Sequence, residues 1–132
     1  MVSDASATKS DTPPLRVLVV EDYPDLAAAT SDFLQAEGLD VRTALSGRDA
    51  LELASVFEPQ LVLCDLNLPD MSGFDVARAL RSNASTQQTY FVVLTAMGGM
   101  NASQSGVDAF LAKPLTTEAV RALLRTVASK RP

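Results

Sequence analysis

The sequence predicts a doubly wound α/β domain built around a central parallel sheet. Five short apolar runs alternate with amphipathic stretches along the 132 residues. The first run, RVLVV from Arg16 to Val20, is apolar at every position after the arginine, which is typical of a strand covered on both faces. Parallel strands need long crossover connections, so this alternation predicts helices on both faces of the sheet.

The five apolar runs place the predicted strands at residues 16–20, 40–45, 60–64, 90–94 and 109–112. Local signals also mark helix starts between them: Pro24 suits a first helical turn, Ser46 is followed three residues later by Asp49, and Thr116 suits an N-cap. The first helix is predicted to place four residues on one face, namely Leu26, Thr30, Phe33 and Leu34.

Composition excludes several classes of function. The chain has a net charge of −5, and an acidic domain is a poor nucleic-acid binder because phosphate contacts need clustered Lys and Arg. It has no histidine, which excludes histidine-based catalysis and histidine-ligated zinc. A lone cysteine, Cys64, cannot form an internal disulfide and is expected to be a small buried apolar residue. We therefore expect a cytoplasmic protein, and no apolar run approaches membrane-spanning length.

Residues 1–14 form a polar stretch that ends in Pro-Pro and predict a disordered amino-terminal tail. The rest of the chain, residues 15–129, is predicted to be a single ordered domain of ordinary size.

Polar side chains follow four of the predicted strands: Glu21 with Asp22, then Asp65, Thr95 and Lys113. Ligands of open α/β sheets bind beyond the carboxyl ends of the strands. Three carboxylates in one cleft repel one another, so a divalent cation would stabilise them. Magnesium is the natural candidate, because it prefers oxygen ligands and commonly works beside phosphate. The lysine and the hydroxyl suit the oxygens of a phosphoryl group, whose transfer depends on positioning and charge neutralisation.

The series VLVVED, LVLCDLNLPDMSG, VVLTA and FLAKP resembles the receiver domain of two-component response regulators. The resemblance covers Leu15 to about Ser129, and so makes residues 15–129 a receiver domain. It implies a flavodoxin-like, five-stranded sheet with strand order 2-1-3-4-5.

The resemblance also implies roles for individual residues. Asp65 takes the phosphoryl group, and it holds magnesium together with Glu21, Asp22 and the backbone carbonyl of Asn67.

Three further roles follow from the same resemblance. Thr95 and Lys113 contact the phosphoryl group, and Phe110 matches an aromatic switch position. The bond between Lys113 and Pro114 is expected to be cis, a state open to X-Pro bonds at modest cost.

The implied function is to accept a phosphoryl group from a histidine kinase or a histidine phosphotransfer protein. The domain would then change its surface and signal to a downstream protein or a fused output domain. Such a domain assists its own phosphorylation and dephosphorylation, but it is not a turnover enzyme.

The chain departs from the family between Thr95 and Gly106. This segment is about four residues shorter than usual, roughly one helical turn, and it contains Gly98 and Gly99, which are poor helix formers. We therefore expect the helix between the fourth and fifth strands, the family's fourth helix, to be shortened or disordered.

Two alternative functions remain open at the level of sequence. A magnesium-dependent phosphatase with an aspartyl nucleophile generally needs a second carboxylate two residues after it, where this chain has Asn67. A receiver fold that signals by protein contacts alone would not need the acidic pair, Asp65, Thr95 and Lys113 together.

Overall fold

The computed structural model describes residues 13–96 and 106–130. Its five strands form one parallel sheet in the order β2-β1-β3-β4-β5, which confirms the predicted topology. The strands are β1 (Arg16–Val20), β2 (Asp40–Ala44), β3 (Leu61–Asp65), β4 (Tyr90–Thr95) and β5 (Ala109–Ala112). The described helices are α1 (Pro24–Ala36), α2 (Gly47–Phe57), α3 (Gly73–Arg81) and α4 (Thr117–Lys130).

Alternate side chains of the strands enter two separate cores, one on each face of the sheet. Leu18 and Val62 pack with α2 and α3 on one face, while Val17 and Leu63 pack with α1 and α4 on the other. Because β1 and β3 are buried on both faces, their sequences are nearly continuous apolar runs. The two cores fix the sheet, and with it the positions of the strand ends.

The buried face of α1 includes Leu34, with Phe33 packed against the same core, as predicted, but it differs from the predicted face at Leu26. Ala27, Ser31 and Leu34 are buried, a spacing of four and then three residues, whereas Leu26 is 41% exposed. The prediction of Leu26 on the inner face is therefore wrong. The run of alanines in this helix gives little contrast between its faces, and the small Ala27 is buried while its neighbour Leu26 is exposed.

Other predicted boundaries are close to those observed. β3 lies one residue later than predicted and includes Asp65, and β2 ends at Ala44 rather than at residue 45. The hydroxyl of Ser46 accepts a hydrogen bond from the Asp49 N–H at 3.1 Å, and that of Thr116 accepts one from the Ala119 N–H at 3.1 Å. Both predicted helix caps are thus confirmed.

Two predictions lie wholly or mostly outside the described residues. They are the amino-terminal tail, of which only residues 13 and 14 are described, and the shortened helix between β4 and β5. Within residues 13–96 and 106–130, no helix combines the length and the apolar character needed to cross a membrane.

Arg81, the last residue of α3, joins this helix to the start of the β5 region. Its guanidinium donates to the carbonyl of Gly106 at 2.8 Å and to the carboxylate of Asp108 at 2.7 Å. The same Asp108 oxygen accepts from the Phe91 N–H of β4 at 2.8 Å. Gly106 has a φ of +76°, and a Cβ on it would lie 2.9 Å from Cγ of Arg81. The chain therefore enters β5 through a fixed point beside α3.

Helix α3 begins with a reciprocal capping box. The hydroxyl of Ser72 accepts from the Asp75 N–H at 3.2 Å, and the carboxylate of Asp75 accepts from the Ser72 N–H at 3.1 Å. The bond from the Ser72 N–H, with smaller contributions from the Ser72 hydroxyl and from Arg78, holds the pKa of Asp75 below its usual value.

Asp75→Asn is expected to lower the free energy of unfolding at neutral pH, because the amide accepts the Ser72 N–H less strongly than a carboxylate does. The folded-state pKa of Asp75 is depressed, so its stabilisation is present above the unfolded pKa and is lost as pH falls through the folded pKa. Denaturant unfolding over a pH series should therefore show the difference between the two proteins shrinking in acid.

The matched control for this prediction is Asp49→Asn. Asp49 occupies the same position of α2, and its backbone is capped by Ser46 without a reciprocal side-chain bond among the described residues. A wild-type advantage over Asp75→Asn that stays constant down to strongly acidic pH would contradict the role given to the carboxylate.

Candidate functional site

Three carboxylates meet at the carboxyl edge of the sheet, as the sequence predicts. Glu21 and Asp22 follow β1, and Asp65 ends β3, the strand that pairs with β1. Oxygen atoms of the three side chains all lie within 4.8 Å of one another. Glu21 is buried, Asp65 is half-buried and Asp22 is exposed, so the cluster opens to solvent on the side of Asp22.

Lys113 bridges two of these carboxylates. Its ammonium nitrogen lies 3.1 Å from Oε1 of Glu21 and 3.2 Å from Oδ1 of Asp65. Partial burial acts to lower the pKa of Lys113, but the hydrogen bonds and charges of Glu21 and Asp65 outweigh it and raise that pKa above its usual value. The lysine is therefore a fixed positive charge in the cleft at neutral pH.

Backbone contacts hold Glu21 and Lys113 in place. The Glu21 N–H donates to the carbonyl of Ala44 at 3.0 Å, which continues the β1–β2 pairing past the end of β1. The second oxygen of Glu21 accepts from the Tyr23 N–H at 3.3 Å. The Lys113 N–H donates to the carbonyl of Thr95 at 3.0 Å, and the bond between Lys113 and Pro114 is cis, as expected.

The remaining predicted site residues lie on β4, on β5 and in the loop that follows β3. Thr95 is buried at the end of β4, opposite Ala112 of β5. Phe110 is half-buried and meets Phe74 of α3 edge to face, with the ring centroids 6.1 Å apart. Asn67 lies two residues beyond Asp65 on an exposed turn, where it forms an antiparallel bridge with Ser72.

Cys64 is buried immediately before Asp65, in agreement with the prediction for this residue. Its thiol donates to the carbonyl of Asp65 at 3.3 Å. Burial raises the pKa of Cys64 strongly, and the charges of Asp65 and Glu21 raise it further. The side chain therefore stays a neutral thiol and packs as an apolar residue.

One set of contacts in the β3–α3 loop was not predicted from the sequence. The carboxylate of Asp70 accepts hydrogen bonds from the N–H groups of Gly47 and Arg48, both at 2.9 Å. The partners are 22 and 23 residues apart in sequence, so no local pattern indicates the contact. In the sequence, Asp70 is indistinguishable from a residue that merely suits a loop.

The fold and the site define the class of protein. It is a doubly wound α/β domain with an acidic cleft, bridged by a lysine, where its parallel strands end. The chain belongs to the response regulator receiver domain family, whose family model matches residues 17–125. Members of this family are signalling domains rather than turnover enzymes.

Individual relatives agree with this assignment. The chain is 36% identical over 118 residues to the DNA-binding dual master transcriptional regulator RpaA of Synechocystis sp., covering 83% of this chain and 49% of that protein. The chain thus spans about half the length of the curated relatives it matches.

Solved structures show the same fold. The chemotaxis protein CheY4 of Vibrio cholerae has a TM-score of 0.79 and 30% identity, with 86% of this chain and 98% of that chain covered. A receiver domain of a sensor histidine kinase from Pseudomonas aeruginosa has a TM-score of 0.75 and 27% identity, with 87% and 98% covered. That structure holds a magnesium ion coordinated in its active-site cleft.

Lys113→Met is expected to lower the free energy of unfolding in EDTA by about 1–2 kcal/mol, because it leaves the buried Glu21 without its cationic partner. Arg48→Met is the control, since the exposed Arg48–Glu52 pair at 3.5 Å should contribute at most about 0.5 kcal/mol. Urea unfolding at neutral pH measures both. Equal effects of the two substitutions would mean that the ion pair in the cleft contributes no more than a surface pair.

Proposed function

We propose that this domain accepts a phosphoryl group on Asp65 from the phosphohistidine of a partner protein and then changes its surface for protein–protein signalling. The observation that carries the proposal is the position of Asp65 at the end of a central strand. Its side chain is 16% exposed, stands beside Lys113 and shares the cleft with Glu21 and Asp22. This arrangement pairs a reachable carboxylate nucleophile with charges suited to an incoming phosphate.

In the proposed reaction an oxygen of the Asp65 carboxylate attacks phosphorus, while the bond between phosphorus and the histidine nitrogen of the partner breaks. The electron pair of that bond leaves with the imidazole, and Asp65 becomes an acyl phosphate. Lys113, already 3.2 Å from Oδ1 of Asp65, is placed to pair with a phosphoryl oxygen. Catalysis of this kind rests on positioning and charge neutralisation, so the domain assists its own phosphorylation and dephosphorylation.

The donor set of the cleft fits magnesium. Carboxylate oxygens are the ligands that this ion prefers, and octahedral bonds of about 2 Å place opposite ligands roughly 4 Å apart. The oxygens of Glu21, Asp22 and Asp65 lie within 4.8 Å of one another, so small side-chain movements would let them share one ion. We infer that these three residues hold magnesium, with the backbone carbonyl of Asn67. The bound ion would neutralise charge on the phosphoryl oxygens.

The magnesium ion in the Pseudomonas aeruginosa relative supports this inference. We assign Thr95 the role of binding the phosphoryl group through its hydroxyl, because it ends the strand beside Asp65. Phe110 is proposed to be the switch residue that transmits the change. Phe110 lies on β5, which pairs with β4, so a movement at the end of β4 would alter the contact between Phe110 and Phe74 of α3.

Partners follow from the same proposal. The phosphoryl donor is a histidine kinase or a histidine phosphotransfer protein, and the receiver of the signal is a downstream protein or a fused output domain. The matched relatives are about twice as long as this chain, so each of them has room for an output domain beside its receiver domain. The net charge of −5 argues against direct nucleic-acid binding by the receiver domain. We propose that this domain comprises residues 15–129 and follows an amino-terminal tail at residues 1–14. We propose that it acts in the cytoplasm.

Asp65→Asn should abolish modification at the proposed site. Incubation with acetyl phosphate and magnesium, followed by mass spectrometry, should add one phosphoryl group to the wild type and to the control Asp49→Asn, which removes an exposed carboxylate elsewhere. If Asp65→Asn is labelled as fully as the wild type, the central proposal is wrong. Release of phosphate from a simple phosphate ester with turnover would instead favour a phosphatase.

Asp22→Asn should weaken magnesium binding about tenfold or more, because it removes a proposed ligand. Asp25→Asn is the control: it removes a carboxylate from the first turn of α1, three residues further on. Amide shifts during a magnesium titration give both affinities. An Asp22→Asn protein that binds as tightly as Asp25→Asn would remove Asp22 from the metal site.

A further inference from the structure

We propose that Asp70 is a positioning residue that sets the separation between the two sides of the acidic cleft. It does so by tying the β3–α3 loop, residues 66–72, to the first turn of α2. The inference rests on the proposed function, because the group it positions is the proposed metal site.

The first step is the bonding of Asp70 itself. Its side chain is exposed, yet both oxygens are engaged, Oδ1 with the Gly47 N–H and Oδ2 with the Arg48 N–H, each at 2.9 Å. These donors belong to the first turn of α2, where N–H groups lack partners within the helix and the helix dipole favours an anion. Ser46 already caps Asp49, the next donor along. Asp70 thus completes the cap of a helix to which it does not belong.

Met71 makes a second contact at the same place. A Cβ built on Gly47 would lie 2.4 Å from Cγ and 2.6 Å from Sδ of Met71, closer than real side chains approach. The loop and the helix therefore meet both through hydrogen bonds to Asp70 and through packing of Met71 into the space that glycine leaves at position 47.

Hydrogen bonds between the two sides of the β3–α3 loop connect the region of Asp70 to the backbone beside Asp65. The Leu68 N–H donates to the carbonyl of Met71 at 3.2 Å, and the Gly73 N–H donates to the carbonyl of Leu66 at 2.7 Å. A Cβ on Gly73 would lie 2.8 Å from the carbonyl oxygen of Asp65. A displacement of the loop at Asp70 would therefore shift the backbone of Asn67, the proposed carbonyl ligand, relative to Asp65, whose own position is fixed by the sheet.

The other end of the connection leads to Glu21. Helix α2 begins three residues after Ala44, whose carbonyl accepts the Glu21 N–H at 3.0 Å. A closed circuit of contacts thus runs from Asp65 through the loop and Asp70 to Gly47, and from there through Ala44 to Glu21. The Asp70 link is made by an exposed side chain, so it can be removed without emptying either core.

The test compares magnesium affinities of the full chain by calorimetry. Asp70→Ala should weaken binding about tenfold, as loss of groups that orient metal ligands commonly does. Asp70→Asn removes the same charge but keeps one acceptor, and it should lie between Asp70→Ala and the wild type. The control Asp49→Asn removes a charge from the turn of α2 that Asp70 caps, and this variant should bind magnesium as tightly as the wild type does.

A second measurement does not depend on the metal. Amide hydrogen exchange in EDTA should be faster at Asn67 and Leu68 in Asp70→Ala than in Asp49→Asn. The two variants are compared at denaturant concentrations that give them the same free energy of unfolding. Unchanged exchange in the loop, together with equal magnesium affinities for Asp70→Ala, Asp70→Asn and Asp49→Asn, would overturn the inference while leaving the proposed function intact. A wild type that binds no magnesium would instead contradict the proposed metal site and the inference with it.

Discussion

The repulsion among Glu21, Asp22 and Asp65 is the constraint on which the arrangement of this domain depends. Their oxygens lie within 4.8 Å of one another, and like charges so close are stabilised by a countercharge among them. Lys113 provides that countercharge from the far edge of the sheet, two strands away from Asp65. The order of the strands, the pairing of β5 with β4 and the bond from the Lys113 N–H to Thr95 together place the ammonium beside the carboxylates.

Much of this arrangement could be predicted from the sequence because its determinants are local. A strand buried on both faces is an unbroken apolar run, and the residue after such a run must lie at the carboxyl edge of the sheet, as Glu21 does after β1. The position of Leu26 in α1 was predicted wrongly because the alanines around it carry little signal. The contact of Asp70 with α2 could not be predicted, since it depends on how two crossovers pack together.

Two glycines show how closely the backbone segments around the cleft approach one another. Gly47 leaves room for Met71, and Gly73 leaves room for the carbonyl of Asp65. Neither glycine is in the left-handed region, so each contributes space rather than a special backbone conformation, and the space is tightest at Gly73, which faces backbone atoms. The sequence marks such positions only as potential turns, although here both are the first residues of helices.

The hydrogen bonds from Arg81 to Gly106 and Asp108 affect how domains of this family can differ in length. β4 is held by pairing with both its neighbours, and the chain is held again at Gly106 by the Arg81 guanidinium. The stretch between these two anchors can thus gain or lose residues without changing the position of Thr95 or Lys113. Related domains can therefore differ in length between β4 and β5 while the ends of both strands keep their positions.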